Sequence, residues 1–138
     1  MRVWVGVLIL AAISSPAPAS SPEMRPITDF IVENGNSTNG GTEVFVGLRC
    51  SSLFSILEQY TSNNNMPDAS EKYKAASKAA LKFALDNQRP FSEEYTVNQL
   101  KIMMESYVDR FTTSKARTGN FSDDEVIKSD AKTCGDIF

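Results

Sequence analysis

The stretch Val46-Gly47-Leu48-Arg49-Cys50-Ser51-Ser52-Leu53-Phe54-Ser55-Ile56-Leu57-Glu58-Gln59-Tyr60 decides the fold. Val46, Cys50, Leu53, Leu57 and Tyr60 recur at alternating steps of four and three, so they share one face of an α-helix. The spacing predicts a helix over 42–62, with Thr42 as N-cap and Glu43 at the positive end of the helix dipole. Gly47 inside it costs about 1 kcal/mol relative to alanine, a cost that close approach of a neighbouring helix would offset. The only other cysteine, Cys134, stands near the chain's end, so a bridge from Cys50 ties this helix to the last one.

Towards the C-terminus three more helical patterns follow. Ala69, Tyr73, Ala76, Ala80 and Phe83 form one stripe over 68–87, and Arg89-Pro90 stops it because the residue before proline avoids the α region. Ser92 caps the next helix, whose core face is Val97, Leu100, Met103 or Met104, Tyr107 and Phe111, with Gly119-Asn120 as the stop. Ser122 and Glu125 read as a capping box for a final helix, with Phe121 and Val126 as its hydrophobic staple. Ile127, Ala131, Cys134 and Phe138 share its inner face. No strand pattern competes. The expected fold is all-α, a compact bundle of about four helices over 42–138, closed by one disulfide between the first and last.

Towards the N-terminus the pattern fades. Residues 20–41 hold Pro22, Pro26, Gly35, Gly40, Gly41 and three asparagines, which predicts a flexible segment, with Phe30-Ile31-Val32 docking as a short extended piece. Residues 1–19 read as a signal peptide: Arg2, an uncharged apolar run from Val3 to Ile13, then Ala17-Pro18-Ala19 as the cleavage site. An uncleaved anchor is the alternative, although the run falls short of the roughly 20 residues that cross a bilayer. Cleavage leaves 119 of the 138 residues, enough for one domain. It also removes Arg2, leaving 13 basic against 17 acidic residues, a net charge of −4. That balance, in an exported chain, disfavours nucleic acid as a partner. The reading is a periplasmic or secreted protein with no stable membrane insertion after cleavage.

Two cysteines in an exported chain predict the disulfide Cys50–Cys134, with two buried free thiols as the alternative. In the chain-entropy model such a bridge stabilises by about 4–5 kcal/mol. Catalysis is poorly supplied. The chain has no histidine, the usual general base near neutral pH, and oxidised cysteines offer no thiolate. Glu93-Glu94 diverge on a helix, and Asp123-Asp124-Glu125 lack the alternating acidic positions and glycine of a calcium loop. The chain is therefore read as no enzyme, with no catalytic residue, no metal and no cofactor. Two features remain as candidates. Lys74, Lys78 and Lys82 form a basic stripe at helical spacing, either a binding surface for an acidic partner or a solvated face. Arg49 and Asp130 flank the bridge from opposite ends of the chain and are predicted to pair at the border of the core.

The run from Phe121 to Cys134, with Arg49-Cys50 before it, resembles small exported bacterial helical proteins of unknown function that carry one disulfide. In general plan the chain is similar to periplasmic acid-stress chaperones and, more loosely, to periplasmic immunity proteins that neutralise cell-wall amidases. What these resemblances imply is a non-enzymatic protein that binds another protein. The alternatives are a stress chaperone, which exposes its core under acid, and a small-ligand carrier with an interhelical pocket.

Overall fold

The computed structural model describes residues 24–35, 41–88 and 91–138; residues 1–19, read as a signal peptide, residues 20–23 and 36–40, and Arg89-Pro90, read as a helix stop, lie outside the described residues. The described residues form five α-helices: α1 (Ile27–Asn34), α2 (Gly41–Asn63), α3 (Pro67–Asp86), α4 (Glu93–Thr118) and α5 (Glu125–Ile137). A 3₁₀ turn, Phe121–Asp123, precedes α5. The fold is all-α, and the bridge Cys50–Cys134 brings α2 and α5 to 5.4 Å at their Cα atoms.

α2 is the axis of the molecule. It packs on α1, α3, α4 and α5, and its buried residues are not one stripe but nearly a full circle from Val44 to Leu57. A helix enclosed on all sides needs an inner surface that tolerates close neighbours. Gly47 supplies it: a Cβ there would lie 2.8 Å from the Ala80 carbonyl oxygen and 2.9 Å from the Ala84 nitrogen. Ser51, Ser77, Ala80 and Ala84 are small and buried around the same seam, while Ser52 is buried on the side of α4. Their hydroxyls stay paired, since Ser77 Oγ donates to the Ser51 carbonyl at 3.0 Å and Ser52 Oγ to the Leu48 carbonyl at 2.7 Å.

Three expectations are corrected. Residues 27–34 are not part of a flexible tether, and Phe30-Ile31-Val32 is not extended; they form α1, whose Ile27 is fully buried. Its first N–H donates to the Asp130 carboxylate at 2.7 Å, a cap supplied from the far end of the chain that no local pattern announces. The bridge accordingly joins the second helix, not the first, to the last. Finally, Ser122 does not cap the last helix. Ser122 lies in the 3₁₀ turn, where its N–H donates to the Asn120 side chain, and the cap is Asp124, which accepts from Ile127 N at 3.0 Å. The Ser92 cap and the Gly119 stop stand where expected, with Gly119 in the left-handed region at φ 81°.

Candidate functional site

Arg49 and Asp130 meet, but inside the core and not at its border: their side chains are 5% and 0% exposed. Arg49 Nη2 donates to Asp130 Oδ2 and also, at 2.9 Å, to the Arg25 carbonyl. Its Nε donates to the Tyr107 hydroxyl at 3.0 Å, and that hydroxyl donates in turn to Asp130 Oδ2. The pair is not bidentate, because the guanidinium divides its donors among a carboxylate, a phenol and a backbone carbonyl. Asp130 Oδ1 is taken by the Ile27 N–H. Burial pushes the Tyr107 hydroxyl well above the usual tyrosine range. Burial also disfavours the Arg49 cation, yet Tyr107 and Asp130 outweigh it and hold the guanidinium above its ordinary value.

A second arginine repeats the arrangement. Arg110 on α4 pairs with Asp124 at 2.9 Å and donates to the Met24 carbonyl at 2.7 Å. Two arginines, each backed by an acid from the C-terminal region, thus grip two successive carbonyls just ahead of α1. Such a network positions a helix: both oxygens of Asp130 and the Tyr107 hydroxyl are committed to partners inside the protein.

The lysine stripe lies on the outer face of α3. Lys74 is 3.8 Å from Glu71, Lys82 pairs with Asp86, and Lys78 is exposed with no ion pair among the described residues. Among the described residues no three His, Cys, Asp or Glu side chains gather as metal ligands, and no helix is long and apolar enough to cross a membrane.

The concave site is elsewhere. α1 and α4 flank α2 without closing over it, leaving a cleft of about 280 Å³ whose floor is Val44, Phe45 and Leu48 of α2. Phe30 and Asn34 line one side, and Phe91, Tyr95, Gln99 and Met103 the other. Phe30 stacks on Phe45 with centroids 3.7 Å apart, and Phe91 stacks on Tyr95 at 5.3 Å, so two aromatic pairs face across the opening. A neighbouring depression of about 270 Å³ shares Phe30, Phe45, Gln99 and Met103 and continues to Arg25 and Ile102. Gln99, half-buried, lines both depressions, and its side chain has no hydrogen-bond partner among the described residues.

The sequence placed Met103 among the core-face candidates and Phe30 in a docking piece, but marked none of the lining residues as a site. Phe30 falls in the stretch read as a tether, and Phe45, Phe91 and Tyr95 sit at helix starts, off the stripes that mark core faces. Tyr107 was legible as a core residue, although nothing in the spacing reveals that its hydroxyl links Arg49 to Asp130. Compared with protein-family models, curated proteins and solved structures, the chain matches none.

Proposed function

We propose that this chain is an exported, non-enzymatic binding protein that takes an apolar segment of another protein into the cleft between α1 and α4. The observation that carries this reading is Gln99, an uncommitted amide that lines a groove together with two aromatic pairs, with Asn34 and Thr42 as further polar lining. Aromatic rings offer large contact area and lose few rotatable bonds on binding. A carboxamide presents both a donor and an acceptor, which matches the polar demand of one peptide group of a bound chain. The groove also runs on past Gln99 into the second depression, a length that suits an extended segment. The disulfide accords with the oxidising compartment that the N-terminal pattern implies.

Site-specific photo-cross-linking tests it. A benzophenone side chain at Gln99 should form adducts with discrete protein partners in the exported fraction, and one at Lys78 on the outer face of α3 should not. Excess unlabelled protein should compete, whereas the variant Gln99→Trp, which fills the cleft, should fail to compete. Equal labelling from both positions would overturn the reading. Adducts with a small molecule alone would replace the protein partner by the carrier alternative.

A further inference from the structure

α4 carries a second uncovered surface, turned away from the cleft. At 100° per residue, Glu93, Val97, Met104, Val108 and Lys115 stay within about 40° of one line along the helix. Val97 and Val108 are 54% and 46% exposed. Together with Leu100 and Met104 they line a shallow apolar groove of about 410 Å³, edged by Lys101, Glu105 and Asp109. Glu93, Lys101, Glu105 and Lys115 make no ion pair among the described residues, although seven pairs form elsewhere. With Asp109, which likewise has no ion pair among the described residues, five uncommitted charges frame the apolar stripe, a surface without its partner.

We propose that the occupant is a second copy of this chain, with the two α4 helices packed antiparallel about a two-fold axis at Met104. The order of charges argues for this occupant. With Met104 on the axis, Glu93 lies opposite the partner subunit's Lys115, and Leu100 opposite the partner subunit's Val108. Val97 lies opposite the partner subunit's Phe111, a half-buried ring that stacks on Phe121 of the 3₁₀ turn at 4.5 Å. Lys101 and Glu105 fall on the same flank of the stripe, and an antiparallel two-fold keeps equivalent flanks together. The partner subunit's Glu105 then lies about 3 Å along the helix axis from Lys101, within reach of the two long side chains, and the symmetry makes each charge pair twice. A parallel arrangement would instead set Glu93 against Glu93 and Lys115 against Lys115. α4, at 26 residues, is about 39 Å long, so the contact extends over the width of a small domain.

Sedimentation equilibrium on the mature full-length chain tests the proposal over a concentration series. The wild type should show a reversible monomer–dimer equilibrium. Lys101→Glu alone and Glu105→Lys alone each create two like-charge contacts and should weaken the dimer by about 10-fold or more. Combining the two changes restores opposite charges across the axis and should bring the affinity back to within about 3-fold of wild type. Circular dichroism melts at dilutions where only monomer is present should be alike for all four proteins, which separates assembly from folding. A wild type that is monomeric throughout would overturn the proposal. So would a dimer indifferent to the single changes, or one that the double change fails to rescue.

Discussion

At the residue scale the central fact is a carboxylate with no exposure. Asp130 closes the first turn of α1 with one oxygen and holds Tyr107 and Arg49 with the other. Removing one partner of a buried ion pair costs about 3–5 kcal/mol, because the remaining charge is left without compensation. Tyr107 adds a pH dependence whose sign follows from its raised pKa. The unfolded chain releases the phenolic proton near pH 10, where the folded chain retains it. The stability from this group is therefore complete below about pH 10 and is lost as the pH rises towards the folded value. One such proton corresponds to about 1.4 kcal/mol per pH unit. Urea midpoints measured from about pH 9 to about 11.5, a range that spans the ordinary tyrosine value of about 10, should decline steeply in the wild type. Tyr107→Phe should be less stable at neutral pH and should lose this component of the decline; an unchanged slope would mean that the phenol is accessible in the folded state.

At the element scale, what was legible is what local chemistry decides. The Cys50–Leu57 stripe, the Ser92 cap and the Gly119 stop are each set by neighbours within a turn or two, and each sits where the spacing puts it. Three features were not legible, because distant residues decide them. α1 depends on a cap from Asp130, more than a hundred residues away in sequence. The enclosure of α2 depends on Gly47 meeting Ala80 and Ala84, which a one-face reading does not reveal. The start of α5 depends on Arg110, which holds Asp124 at the cap position and leaves Ser122 to the preceding turn. The last of these is directly testable. Asp124→Ala should lower stability by about 1–2 kcal/mol through loss of both cap and ion pair, while Ser122→Ala should change it by less than about 0.5 kcal/mol. The reverse order in chemical denaturation would restore the Ser122 capping box.

At the scale of the whole molecule, the arginine network and the cleft are cause and consequence. Arg49 and Arg110 hold the carbonyls of Arg25 and Met24, Asp130 caps Ile27, and α1 so placed carries Phe30 and Asn34 to the rim of the groove. The residues that the sequence singled out, Arg49 and Asp130, are thus the support of the candidate site, while its lining comes from positions that looked unremarkable one by one. Native-state hydrogen exchange is the most direct measure of this claim. In the wild type the amides of Ile27 and of Ile31 to Asn34 should be protected, the first by Asp130 and the others by helical bonds. In Asp130→Ala these five should lose protection selectively, with the α2 amides around Leu53 still slow. Unprotected α1 amides in the wild type, or protection that survives Asp130→Ala, would contradict the account.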